Sequence, residues 1–185
     1  LAGARWVGIA VGRRAGVIAA VVVATLIVPF EVYADWVVVL WVALAVVMMA
    51  VARFDAGGGR AYRLVGVGLL AGGTLIAFGI VAPPYRLWVG DPAYDGRLGM
   101  LSAWMLSLAA VGAGLLAAAR QVPFARWRAW LDVGAGFTAV YLVSVGIVAV
   151  FDGLAGGAIE VEELRVQAQV ALSVCWTAIG ACALV

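Results

Sequence analysis

This 185-residue chain has no histidine and no lysine. Without histidine there is no Ser-His or Cys-His nucleophile, no histidine metal site and no histidine haem ligand. Without lysine the basic inventory is arginine alone, and the Ala-, Val- and Gly-rich remainder is the coding bias of a GC-rich genome. Charge of either sign is scarce, at 12% of residues against about 25% in soluble domains. The net charge of +2 gives no case for nucleic-acid binding. Cysteine is confined to Cys175 and Cys182. On one helix these share a face about 10 Å apart along the axis, beyond disulfide reach, and so read as small core-filling residues.

What the chain has instead is apolar length: 66% of it is hydrophobic. A fold of this size has too little polar surface to cover such an excess, so the excess must face lipid. A spanning helix needs roughly 20 mostly apolar residues. The runs predict an all-α membrane protein, a single polytopic bundle of about six transmembrane helices over residues 15–30, 36–52, 62–82, 98–119, 131–151 and 168–185. Leu1–Gly12 is apolar but too short to span alone. Pro83-Pro84 stops the third span, because proline cannot continue a helix. The connectors are a tight turn at Glu31–Asp35, a glycine loop at Arg53–Arg60, a loop at Tyr85–Arg97, a basic Trp-bearing segment at Arg120–Trp130 and an acidic loop at Asp152–Gln167. The chain starts at Leu1 and ends in an apolar run, which predicts a piece of a longer protein; no signal peptide is expected ahead of the first span.

Charge gives the spans a direction. With the N-terminus inside, the inner segments hold Arg5, Arg13, Arg14, Arg53, Arg60, Arg63, Arg120, Arg126 and Arg128, and the outer ones only Arg86, Arg97 and Arg165. Acids split the other way, with Asp55 and Asp132 inside and the rest outside. Arginine concentrates on the cytoplasmic side, so the expected topology is N-in, C-in. Trp6, Trp36, Trp88, Trp127, Trp130, Tyr33, Tyr62 and Tyr85 fall near span ends, as aromatic belts do.

Small residues at four-residue spacing let helix backbones approach closely. Gly8, Gly12 and Gly16, then Gly68 and Gly72 with Gly66 and Gly73 beside them, and Ala110 with Gly114 show it. They read as a dimerisation face or hinge, or as ordinary intrachain packing; the frequency of such spacing in spans favours packing.

Chemistry is thin. No Asp, Glu or Arg falls near the middle of an expected span, so an intramembrane aspartyl protease and a proton relay lack their carriers. Tyr141 and Ser144 share a face of the fifth span, and Ser173 and Thr177 a face of the sixth. They suggest a polar seam, although Ser and Thr also bond their own i−4 carbonyls. Glu160, Glu162 and Glu163 suggest a cation site or a solvated helix start, and the second is the simpler. The outer loop with Trp88, Asp91 and Tyr94 makes that face the place for a partner or ligand. The ligand or partner candidates are therefore Tyr141, Ser144, Trp88, Glu160 and Glu163, with no catalytic residue, metal or cofactor expected.

Two stretches carry a resemblance. Pro29-Phe-Glu-Val-Tyr-Ala-Asp-Trp36 through Trp41 to Arg53 is a helix ending in proline, a turn, and a Trp-bearing helix closed by arginine. Tyr141 to Phe151-Asp-Gly153, then Glu162-Glu163 through Ser173-x-x-Trp176-x-x-x-Gly180, is a late pair of helices around an acidic turn. Both resemble the DUF2339 family of bacterial polytopic membrane proteins, although Ser144–Ala149 lacks the charged Glu-x-Arg often found there. The resemblance implies a multi-pass protein of the bacterial cytoplasmic (inner) membrane and no established activity. A weak internal likeness also links the second and sixth spans, each with Trp after an acidic turn. The function expected is non-catalytic, that of a structural or accessory subunit surrounded by membrane lipids and packed against other membrane proteins or copies of itself. The alternative is a transporter-like or small-molecule- or lipid-binding protein with its site at the outer face or along the Tyr141/Ser144 seam.

Overall fold

The computed structural model describes residues 12, 14–23, 25, 33–55, 59–84, 103–122, 124–154 and 161–183. The regular structure among them is all helical: α1 (Arg14–Val23), α2 (Ala34–Phe54), α3 (Gly59–Ile76), running into a π-helical turn at Ala77–Val81, α4 (Ala103–Ala119), α5 (Ala125–Leu154) and α6 (Val161–Ala183). Three segments are long and apolar enough to cross a membrane: Ala34–Phe54, Gly59–Val81 and Ala125–Phe151. Two shorter helices, Arg14–Val23 and Trp104–Ala119, are apolar as well.

Several bounds differ from the hydropathy reading, and at both ends of α2 and the starts of α3, α5 and α6 the helix extends into polar sequence. The segment Arg120–Trp130 is not a loop throughout, because α5 already begins at Ala125 and takes in Arg126, Trp127, Arg128 and Trp130. Likewise α6 begins at Val161, inside the stretch expected as an acidic loop. Hydropathy reports where a chain tolerates hydrocarbon, whereas a helix needs only backbone hydrogen bonds and residues of fair propensity. Acids in a first turn are favoured by the helix dipole. At 30 residues, α5 is about 45 Å long, so its ends project beyond a hydrocarbon core of about 30 Å.

The helices run alternately up and down, and close contacts set the register. Antiparallel α2 and α3 bring Gly59 to Ala52, Gly66 to Ala45 and Met49, and Gly73 to Val38 and Val42. Parallel α2 and α4 are tied at one end by the Ser107 hydroxyl donating to the Asp35 carbonyl at 2.8 Å. At the other end Arg53 Nη2 donates to the Arg120 carbonyl at 3.0 Å. Antiparallel α4 and α5 bring Met105 to Gly146, Gly112 to Thr138 and Leu115 to Gly134. Trp176 of α6 reaches Ser144 of α5, and Arg14 of α1 pairs with Asp55 at the end of α2.

Val38, Val42, Ala45 and Met49 of α2, Leu69 and Leu70 of α3, Leu108 and Val111 of α4, and Tyr141 and Val145 of α5 form the core. Lipid tails are as apolar as leucine, so what holds such a core is close packing. A Cβ on Gly66 would lie 2.8 Å from Met49 Cγ and 2.9 Å from the Ala45 carbonyl oxygen. One on Gly114 would collide with Val42. Around a Cβ at Gly12, Gly16 and Gly68, by contrast, there is nothing within 4 Å, so among the described residues those members of the repeat meet no facing helix; Gly8 lies outside the described residues. Leu40, Val47, Leu64, Val67, Leu75, Ile80, Leu116, Val133, Val150, Val170 and Val174 are exposed. An apolar exterior of this extent suits lipid better than water.

Candidate functional site

Just before the Pro83-Pro84 pair, α3 changes its winding. Neither proline has an N–H to donate, and α3 widens into a π turn before them, with the Ala82 N–H reaching the Ala77 carbonyl at 2.8 Å. Ala82 then leaves helical geometry (φ −135°, ψ 68°), and its carbonyl takes a hydrogen-bond donor from another helix. The Tyr141 hydroxyl supplies one from α5, at 2.7 Å. Phe78 of the π turn packs on the Tyr141 ring with centroids 5.3 Å apart, and Phe137 joins at 6.0 Å from Phe78. These are offset aromatic contacts of favourable geometry. Tyr141 is 6% exposed and is held from both its ring and its hydroxyl.

One turn further along α5, Ser144 is buried. Its oxygen donates to the Val140 carbonyl at 2.8 Å and accepts the Trp176 indole N–H at 2.8 Å. Buried Thr138 donates to the Gly134 carbonyl at 2.8 Å. Ser173, Thr177 and Thr74 bond back one turn in the same way. Tyr141 and Ser144 thus lie one turn apart on α5, and the hydroxyls of Thr138, Tyr141 and Ser144 each have a protein partner. Buried hydroxyls left unpaired would cost free energy in proportion to their desolvation, so the Tyr141 and Ser144 bonds stabilise the α3–α5–α6 contact. Ser173 and Thr177 are exposed rather than facing this pair.

The described outer-face candidate is Glu163, which is exposed and accepts from the Gln167 side-chain amide at 3.4 Å along α6. Trp88, with the rest of the Tyr85–Arg97 loop, and Glu160 lie outside the described residues. No three His, Cys, Asp or Glu side chains gather at metal-binding distance among the described residues.

An open groove of about 450 Å³ runs between α4, α5 and α6, lined by Met105, Val143, Gly146, Ile147, Val150, Phe151 and Ala171. Each of these is apolar. Binding sites for small solutes usually add a few placed polar groups that fix orientation, and this groove has none.

Sequence reading missed two features. The partner of Tyr141 is a backbone carbonyl exposed by the proline pair, and the partner of Ser144 is a tryptophan on another helix. Pro83-Pro84 was a visible signal for the first; nothing local marks the second. The described arginines that charge alternation assigned to one side also share one end of the bundle. The contacts above bring Arg14, Arg53, Arg60, Arg63, Arg120, Arg126 and Arg128 to one end of the bundle, while Arg165 lies at the opposite end, at the start of α6. No family model matches the chain, and neither a curated protein nor a solved structure matches it.

Proposed function

We propose that the chain is a non-catalytic, multi-pass protein of the bacterial cytoplasmic membrane, a structural or accessory subunit that packs against other membrane proteins or further copies of itself. In this reading all six helices cross the bilayer, N-in and C-in, as a DUF2339-like protein would. The gathering of arginines at one end supports that direction.

The observation that carries the reading is that the buried hydroxyls are each satisfied within the protein. A transport or binding path needs polar groups free to exchange partners with a solute, and charged groups at membrane depth are its usual marks. Here Thr138, Tyr141 and Ser144 are each occupied by a protein partner, and the open groove beside them is apolar. Such a bundle is suited to being packed against. The test is isolation of the tagged chain from native membranes in a mild detergent. A defined set of co-purifying membrane proteins, or a stable homo-oligomer, is expected. A lone monomer with no partner would overturn the accessory role.

The π turn at Ala77–Val81 favours a second reading, because π turns inside helices often mark functional sites. In that reading the Tyr141–Ala82 bond opens to admit a small molecule from the outer face, and solute-dependent quenching of tryptophan fluorescence in the purified protein would favour it.

A further inference from the structure

At the inner end of the bundle, two arginines are spent on the fold. Arg53 donates to the Arg120 carbonyl, and Arg128 Nη2 donates to the Val122 carbonyl at 3.3 Å. Together they brace the α4–α5 corner. A third, Arg14, is paired with Asp55. That leaves the guanidinium groups of Arg60, Arg63, Arg120 and Arg126, which are all exposed and have no carboxylate partner among the described residues. Among the described residues the acids at this end are Asp55, already paired, and Asp132.

The same corner presents aromatic rings. Phe124, Trp127, Trp130, Val133 and Phe137 follow one another at three- and four-residue spacing along one outward face of α5, and all are more than half exposed. The stripe runs from tryptophans at the arginine level to phenylalanine deeper along the helix. Indole rings favour the headgroup layer and phenylalanine the hydrocarbon. With α5 crossing a bilayer, this gradient would set Arg120 and Arg126 at headgroup height. Guanidinium forks bind phosphate oxygens through two parallel hydrogen bonds.

We infer that the α4–α5 corner, through Arg120 and Arg126 with Trp127 and Trp130 beside them, is a binding site for the phosphate headgroup of an anionic phospholipid of the inner leaflet. This rests on the membrane-spanning reading above and adds to it a lipid class. The occupant is a lipid rather than an acidic protein segment because the exposed aromatic stripe continues from the charged level into the level of the acyl chains. An acidic protein segment would match only the charge.

The full chain, purified in detergent and stripped of lipid, is titrated with phosphatidylglycerol and with phosphatidylcholine and read by native mass spectrometry. Preferential retention of phosphatidylglycerol is expected. Arg120→Gln and Arg126→Gln should each weaken it by about fivefold, the effect of one arginine near an anionic headgroup. Arg126→Lys, which keeps charge but loses the fork, should fall between. Arg165→Gln at the opposite end should leave the preference unchanged. Both corner side chains are exposed, and Arg53 bonds the backbone of Arg120 rather than its side chain, so an unchanged melting temperature confirms that the variants fold. Equal retention of both lipids, or a preference that survives the double variant, would overturn the inference. Co-purification of an acidic protein that is lost with Arg126→Gln, without any lipid preference, would overturn it in favour of a protein partner. Release of the chain from native membranes by alkaline carbonate would instead remove the membrane reading itself, so the two failures are distinct.

Discussion

At the level of single residues, glycines and hydroxyls do the specific work. The four-residue spacing pointed to Gly68 with Gly72 and to Ala110 with Gly114, and the tightest approaches to α2 are at Gly59 and Gly66 on α3 and at Gly114 on α4. Gly72 does contribute, lying under the Trp41 ring, where a Cβ would come 2.8 Å from Cζ3. A repeat names a stripe on its own helix; the facing helix decides which stripe is buried. Gly66→Val should therefore destabilise the bundle by roughly 1–3 kcal/mol, the usual cost of overpacking, because the obstruction includes the Ala45 backbone. Gly68→Ala meets open space and should leave thermal stability in detergent unchanged or slightly raised. Equal loss in both variants would show that the α2–α3 register is wrong. Tyr141→Phe removes the hydroxyl from the Ala82 carbonyl and should cost about 0.6 kcal/mol, up to about 1.7 kcal/mol, as interhelical hydrogen bonds in membranes do. Trp176→Phe, which frees Ser144, should cost a similar amount. Thermal unfolding followed by circular dichroism in one detergent checks these together.

Among the elements, α3 and α5 show how helix and span differ. Pro83-Pro84 made the end of α3 legible, and the helical winding does stop there, at Val81. The widening into a π turn was not legible, since it depends on Phe78 and Ala82 finding Phe137 and Tyr141 on α5. The start of α5 was read too late, because its first turns are rich in arginine and tryptophan, residues poor in hydropathy yet compatible with helix. Replacing Pro83 and Pro84 with alanine should let α3 extend and withdraw the Ala82 carbonyl from Tyr141. The expected result is a rise in helical content together with a loss of stability comparable to that of Tyr141→Phe. No change in either would show that the prolines do not set the turn.

Over the whole molecule, the arrangement of charge is the main outcome. Cysteines introduced at Gly58 and Gly157, in a background without the native pair, should label with membrane-impermeant maleimide from opposite sides of sealed membrane vesicles. Same-side labelling would remove the six-crossing, N-in topology. Composition determined by itself that the chain is helical and rich in segments able to cross a membrane. Hydropathy is a sum over residues, and burying backbone polar groups in hydrocarbon leaves helices as the solution for such runs. Tertiary structure alone decided which glycines are buried, which hydroxyls have partners and which arginines brace the bundle. Those properties depend on partners far apart in sequence, such as Tyr141 with Ala82, Trp176 with Ser144 and Arg53 with Arg120, and no local pattern encodes a contact between helices.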